Sequence, residues 1–376
     1  MINCIKPHSE LTALGLMSGT SRDGIDVAII RTDGSSMVQR GPSTTWEYNE
    51  EFRRLLSDAV ANVADASDVE RELTILHGYI IEKLLKENDL KYSDIDIIGF
   101  HGHTLNHAPE RRETIQIGDG TLLSNLTGIP VINDLRSADV AEGGQGAPLA
   151  PIYHWALARE LEKPLAVLNL GGVANVTWIG DSPPDPGTIY AYNQLIPHML
   201  AFDTGPGNAL LDDWAARHTG MRMDRNGELA SAGEVNIQVL GRLLEHSYFI
   251  KVPPKSLDRD AFALESLVKL SLADGAATLV AFTAQSISAA AQFFPSPPTR
   301  WLVTGGGRHN PEMMGALAQQ IGVPVEPVEN VGWDGNTLEA EAFAFLAVRS
   351  AKAWPNSWPN TTGVPHPCVG GVIHQP

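Results

Sequence analysis

Four segments rich in glycine and small polar residues interrupt apolar runs: SGTSRDG at 18–24, NLGGVAN at 169–175, DTGPGN at 203–208 and TGGGRHN at 304–310. A glycine carries no Cβ, so the backbone N–H groups of such a loop can come close to an anion. Ser18, Thr20 and Ser21 add hydroxyl donors to the first loop. One loop of this kind is most often a plain turn, but four of them at the ends of apolar runs point to phosphate binding. The chain has no G-x-x-x-x-G-K-[ST] segment, no well-placed G-x-G-x-x-G and no G-x-S-x-G. Those absences disfavour a P-loop, a dinucleotide fold and a nucleophile elbow, which leaves the small-residue loops as the grip.

Asp203 is the carboxylate best placed for proton transfer. In the sequence it stands where a strand gives way to a glycine-rich turn, and there it can take a proton from a hydroxyl or a water. The same position suits a helix N-cap, and the residue types leave both roles open. The amides of Gly205, Gly207 and Asn208, with the helix start behind them, favour a nearby phosphate. Asp23 and Asp26 are candidates for holding Mg²⁺ through water, since that ion keeps several waters and takes few carboxylates. Asp23-Gly24 also suits a hairpin turn.

His101 and His103 in HGHT share one face of an extended segment. No cysteine stands nearby to complete a zinc site, so hydrogen bonding to a polar ligand is the preferred reading. Arg136 and Asp139 lie in NDLRSADVAEGGQGAP, a loop suited to a hydroxylated or carboxylated ligand or to a buried ion pair joining two loops. Glu339 and Glu341 open the last long helix, where the helix dipole favours acids.

Placing these residues takes strands alternating with helices. Apolar runs at 14–17 and 27–30 flank the first loop as a hairpin. Residues 69–87 have helical spacing, 95–100 reads as a strand ending at HGHT, and 131–132 as another. A second cycle has strands at 165–170, 176–179 and 201–202, a helix over 209–217, a long helix over 276–294 and a strand at 301–304. The last strand is expected at 324–325 and the last helix over 338–353. LGLMSGTSRDGIDVAII and LAVLNLGGVANVTWIG both read as strand, small-residue turn, strand, so two similar hairpins would face one polyphosphate. The 376 residues fit an α/β chain of about two domains, expected as 1–160 and 161–376.

The net charge is −17, from 44 acidic and 27 basic residues. That balance repels a phosphate backbone and makes nucleic acid a poor partner, yet it does not bar a nucleotide held by backbone amides. Two cysteines, Cys4 and Cys368, are too few for a disulfide framework or a Cys-based zinc site. The N-terminal segment does not read as a signal peptide, and no apolar run is long enough to span a membrane. A cytoplasmic protein is expected.

Taken together, these segments resemble the anhydro-N-acetylmuramic acid kinase family. The resemblance runs through LGLMSGTSRDGIDVAII, GFHGHT, IQIGDG, NDLRSADVAEGGQGAPLAP, LNLGGVANVT, AFDTGPGN, PPKSLDRDAF, TAQSI and LVTGGGRHNP, in the family's order over nearly the whole chain. It implies an actin/hexokinase-like (ribonuclease H-like) fold, two α/β domains closing over ATP and a sugar across an interdomain cleft. By position, Gly19, Thr20, Ser21, Arg22, Asp23, Gly24, Ile25 and Asp26 match the family's ATP phosphate loop. Asn169, Gly171 and Gly172 match the second phosphate hairpin, and Gly305, Gly306, Gly307 and Asn310 the nucleoside side. Asp203 takes the place of the catalytic base, and His101, Arg136, Asp139 and Glu339 surround the sugar. Asp26 and Asp203 are the carboxylates expected at Mg²⁺.

The reaction so implied has Asp203 deprotonate a water that opens a 1,6-anhydro ring, after which O6 takes the γ-phosphoryl group of ATP. The chain departs from the family pattern at His103, where glutamine is usual, at Arg22, where methionine is usual, and in its C-terminal segment. A related branch phosphorylates levoglucosan, so that sugar, another anhydrosugar or an ordinary sugar-kinase reaction is the alternative. A non-enzymatic ATP-driven clamp is a third reading. The family also suggests a homodimer.

Overall fold

The computed structural model describes residues 9–19, 21–63, 66–181, 198–259, 261–262 and 264–376. The described chain packs as two units, one of residues 9–160 with 336–376 and the other of 161–181 with 198–335. The expectation of one continuous domain over 161–376 is corrected here, because Asn336–Pro376 returns to the first unit.

The sheet of the first unit is seven-stranded. β1 (Leu11–Ser18), β2 (Gly24–Thr32) and β3 (Val38–Glu47) make an antiparallel meander. β4 (Ile97–Ala108) runs parallel to β1, and β6 (Val131–Asn133) parallel to β4. β5 (Glu113–Ile117) pairs back on β4, and β12 (Val372–His374) closes the edge against β6. The expected strand at 95–100 therefore continues through HGHT, where β5 supplies the partner. The strand at 325–327 is not the last.

Ile25, Val27, Ala28, Ile29 and Ile30 are all buried, as befits a strand covered on both faces. On one face, α1 (Glu50–Ala61) and α2 (Ser67–Glu87) pack Leu56, Leu73, Ile80, Ile81, Leu84 and Leu85 onto Leu14, Leu16, Ile98 and Phe100. α3 (Gly120–Thr127), α4 (Ser137–Ala141) and α5 (Pro151–Leu157) follow in the chain. The last helix, α11 (Leu338–Ala351), lies against the sheet so closely that a Cβ on Gly15 would stand 1.8 Å from Ala340 O, and one on Gly99 2.1 Å from Phe343 O. That approach is what brings 336–376 back to the first unit, since only a residue without a side chain admits the helix there.

The second unit has a five-stranded sheet. β7 (Leu165–Leu170), β8 (Val173–Ile179) and β9 (Met199–Pro206) form an antiparallel meander. β10 (Trp301–Thr304) is parallel to β7, and β11 (Val325–Pro327) parallel to β10. Its helices are α6 (Ala209–Thr219), α7 (Glu228–Ser231), α8 (Ile237–Leu244), α9 (Leu272–Ala290) and α10 (Pro311–Ile321). Phe202, Trp214, Phe282 and Trp301 anchor their common core.

Both sheets share one order: the meander lies third-second-first, and two parallel strands then add beside the first. This is the ribonuclease H-like topology, present twice in one α/β chain, as in the actin/hexokinase-like fold. Among the described residues, no helix is long and apolar enough to cross a membrane.

Candidate active site

In the first unit, the turn between β1 and β2 is held by its own polar groups. Ser21 Oγ donates to Asp23 Oδ1 at 2.7 Å, and Asp23 O accepts from Tyr48 N at 2.9 Å and Arg53 Nη2 at 3.2 Å. Arg22 carries the left-handed backbone here (φ 56°), and its Nη1 donates to Ser57 Oγ at 2.9 Å. Asp26 Oδ1 accepts from Thr45 Oγ1 at 2.6 Å. Ile25 is fully buried in the core, which leaves its backbone as the part available to a ligand. Thr20 lies outside the described residues, as does Cys4.

His103 continues this support from β4. Its Nδ1 is 2.9 Å from Ser18 Oγ, itself 2.7 Å from Tyr48 Oη. Burial, with the Arg22 charge, brings His103 down to about 4. The departure from the usual glutamine thus sits underneath the turn as a neutral hydrogen-bonding group.

His101 and Arg136 meet directly. His101 Nδ1 lies 2.9 Å from Gly102 O, so that nitrogen carries the proton, and Nε2 accepts from Arg136 Nε at 3.1 Å. Burial and then the Arg136 guanidinium hold the imidazole pKa well below its usual value. Phe343 covers the ring at 4.5 Å between centroids, and Arg136 Nη1 donates to Gly146 O at 2.7 Å.

Asp139 is 1% exposed. Its Oδ1 accepts from Gly146 N at 2.7 Å, and its Oδ2 accepts from Ser357 Oγ and Thr362 Oγ1 at 2.5 Å each. The carboxylate therefore braces the 143–146 loop against the C-terminal segment. Glu339 and Glu341, adjacent on one turn of α11, differ. Burial raises the pKa of Glu339, with Arg136 opposing and Asp23 adding to the rise. Glu341 instead takes Arg40 Nε at 2.7 Å and Tyr153 Oη at 2.6 Å, so an internal ion pair, not the helix dipole, accounts for it.

The candidate glycines divide by what a Cβ would meet. At Gly24, Gly205, Gly207, Gly305 and Gly307 the nearest protein atoms stand at 2.1–2.6 Å; there the missing side chain serves packing. At Gly19, Gly171 and Gly172 the nearest atoms stand at 3.5–3.6 Å, and at Gly306 nothing lies within 4 Å. These four leave room for a ligand beside the backbone. Asn169 belongs to the same neighbourhood, its Oδ1 lying 2.4 Å from where a Gly305 Cβ would be. Asn208 Nδ2 donates to Leu170 O at 2.9 Å, tying the second hairpin to the start of α6. Asn310 caps α10, its Oδ1 accepting from Glu312 N and Met313 N at 3.1 and 3.2 Å.

Asp203 is not an N-cap: it lies inside β9, and Asn208 occupies the cap position of α6. A β-bulge between Ala174 and Asn175 shifts the register beside it, a device that re-aims side chains. The residue is 9% exposed. Its N–H donates to Lys255 O at 3.0 Å, its Oδ2 accepts from Leu257 N at 2.8 Å, and its carbonyl accepts from Tyr248 Oη at 2.6 Å. Burial and Lys251 bring Lys255 down to about 8, with Asp203 working the other way.

Tyr48, Tyr248, Lys255, Ser357 and Thr362 received no role from sequence reasoning, because each acts across at least 30 residues through a contact that no local pattern records. Among the described residues, no three His, Cys, Asp or Glu side chains converge as a metal cage. Mg²⁺ does not require one, since water and substrate phosphates supply most of its ligands.

Two ribonuclease H-like units with small-residue turns on their first hairpins, and a carboxylate pinned on the third strand of one, give the frame of an actin/hexokinase-class phosphotransferase. The family model described as anhydro-N-acetylmuramic acid kinase matches residues 11–376. The chain is 53% identical over 369 residues to the anhydro-N-acetylmuramic acid kinase of Paramagnetospirillum magneticum, covering 97% of this chain and 100% of that one. It is 52% identical over 365 residues to the namesake from Rhodospirillum rubrum, covering 96% and 93%. The chain belongs to the anhydro-N-acetylmuramic acid kinase family.

Proposed function

We propose that this protein is an ATP-dependent kinase that opens the 1,6-anhydro ring of anhydro-N-acetylmuramic acid with water and phosphorylates O6, giving N-acetylmuramate 6-phosphate and ADP. The observation that carries the reading is Asp203, a buried carboxylate fixed on a bulged strand beside small-residue loops in a chain of this family. Asp203 accepts a proton from water as the water oxygen bonds to C1. The C1–O6 bond breaks, O6 forms a bond to the γ-phosphorus, and the bond to the ADP oxygen breaks.

His101, Arg136 and Glu339 contact the sugar, and Asp139 holds the 143–146 loop, to whose Gly146 carbonyl Arg136 donates. Amides around Gly19, Gly171 and Gly172 receive phosphate oxygens, and Gly306 lies on the nucleoside side. Asp26 and Asp203 are the carboxylates for Mg²⁺, which would neutralise charge on the phosphoryl group. ATP use supports a cytoplasmic location, and the family supports a homodimer, which light scattering on the purified protein tests.

The decisive experiment is Asp203→Asn, assayed for ATP consumption with anhydro-N-acetylmuramate, levoglucosan and N-acetylmuramate in parallel. The variant should bind ATP and phosphorylate none of them; turnover within about tenfold of the parent, a small loss for a removed base, rejects Asp203 as the base. In ¹⁸O-water the parent should place label at C1, and unlabelled product rejects the hydrolytic step.

A further inference from the structure

Asp203 belongs to a closed circuit of buried contacts. Its N–H donates to Lys255 O at 3.0 Å, the Lys255 ammonium donates to Tyr248 O at 3.0 Å, and the Tyr248 hydroxyl returns to Asp203 O at 2.6 Å. Lys255 is 7% exposed and Tyr248 2%. The ammonium lies 4.5 Å from the Tyr248 ring centroid, 4.8 Å from Phe293 and 5.8 Å from Phe202, so cation–π attraction adds to its hydrogen bond. Two residues beyond Lys255, Leu257 N holds Asp203 Oδ2 at 2.8 Å. One short segment therefore grips both the backbone and the carboxylate of Asp203, and the lysine side chain is the peg that fixes the segment.

A buried lysine is costly unless something needs it there. A methionine or leucine would fill a box of three rings with no charge to desolvate. What the ammonium adds is a directional bond to Tyr248 O, and through the hydroxyl of that same tyrosine the placement of β9 at Asp203.

We propose that Lys255 and Tyr248 form a clamp that sets the position of the Asp203 carboxylate, which makes Lys255 a positioning residue for the reaction. The proposal rests on the reading of Asp203 as the base. A proton acceptor displaced by about 1 Å costs on the order of 10²-fold in rate, so the effect belongs in kcat and not in substrate affinity.

The test uses Lys255→Met, which keeps the stem in the aromatic box, Lys255→Arg, which keeps a cationic donor, and Tyr248→Phe, which removes only the hydroxyl. Lys255→Met and Tyr248→Phe should each lower kcat about 10- to 100-fold, with KM for ATP and for the anhydrosugar within about twofold of the parent. Lys255→Arg should recover most of kcat, and the double variant should be little worse than the poorer single one, as expected of groups acting as a unit. Unchanged kcat in Tyr248→Phe and a folded Lys255→Met overturns the clamp, as does a raised KM with kcat intact. Should Lys255→Met fail to fold, Tyr248→Phe carries the test alone. An active Asp203→Asn removes the base assignment and the clamp with it, whereas an inactive Asp203→Asn beside unimpaired Lys255 and Tyr248 variants removes the clamp only.

Discussion

Arg136 Nε donates to His101 Nε2 at 3.1 Å, and the opposite ring nitrogen faces Gly102 O at 2.9 Å. The imidazole is thereby held neutral and in one tautomer, with the guanidinium anchored at its back and at Gly146 O. Arg136→Met removes this charged donor from the place read as the sugar side. A lost hydrogen bond to a charged group is worth about 1.5–3 kcal/mol, so KM for the anhydrosugar should rise about 10- to 100-fold while KM for ATP stays put. Steady-state kinetics with each substrate varied in turn checks this, and an unchanged sugar KM takes Arg136 out of the sugar site.

Asp139 accepts three internal hydrogen bonds while 1% exposed. Asp139→Asn keeps the shape but turns an amide donor towards groups that are themselves donors. The expected loss is about 2–4 kcal/mol of stability, with Ser357→Ala and Thr362→Ala costing about 1 kcal/mol each. Urea unfolding followed by circular dichroism reads all three; a neutral Asp139→Asn would show that the brace is not needed.

His77, His103 and His154 are buried, and burial brings each down to about 4. Above the ordinary histidine pKa of 6.5 they are neutral both folded and unfolded. As pH falls below 6.5 the unfolded chain binds protons that the folded chain refuses until about 4. Stability should therefore decline through that window, by on the order of 1 kcal/mol per histidine per pH unit. Urea midpoints at successive pH values test this, and His77→Gln should lessen the slope. A flat profile between pH 6.5 and 5 contradicts it.

Gly15 and Gly306 separate packing glycines from open ones. A Cβ on Gly15 would lie 1.8 Å from Ala340 O in α11, whereas one on Gly306 meets nothing within 4 Å. Gly15→Ala should cost about 3 kcal/mol or more by overpacking, or prevent folding. Gly306→Ala should leave the melting temperature within a few degrees of the parent, about what an exposed substitution does, and raise KM for ATP. The two melting curves and one nucleotide titration decide the point; equal destabilisation would refute the distinction.

Much of the fold could be read from local pattern. The hairpin on either side of SGTSRDG, the helix through Leu73, Ile80, Ile81, Leu84 and Leu85, and the strands entering GGVAN and TGGG all follow from apolar period and turn chemistry. The return of 336–376 to the first unit could not, because the small residues that admit α11, Gly15 and Gly99, stand more than 200 residues before it.

The site divides along the same line. Residue types and spacing alone pointed to the small-residue loops for phosphate and to Asp203 as the leading carboxylate, and the family came from the resemblance of its motifs. Only the tertiary structure decided that Asp203 lies within a strand rather than capping a helix, that Asp139 braces a loop, that Glu341 pairs with Arg40, and which glycines are open. The physical reason is range. Backbone preference and hydrophobic period act over a few neighbouring residues, whereas the contacts that assign a side chain its partner, its protonation and its position close over tens to hundreds.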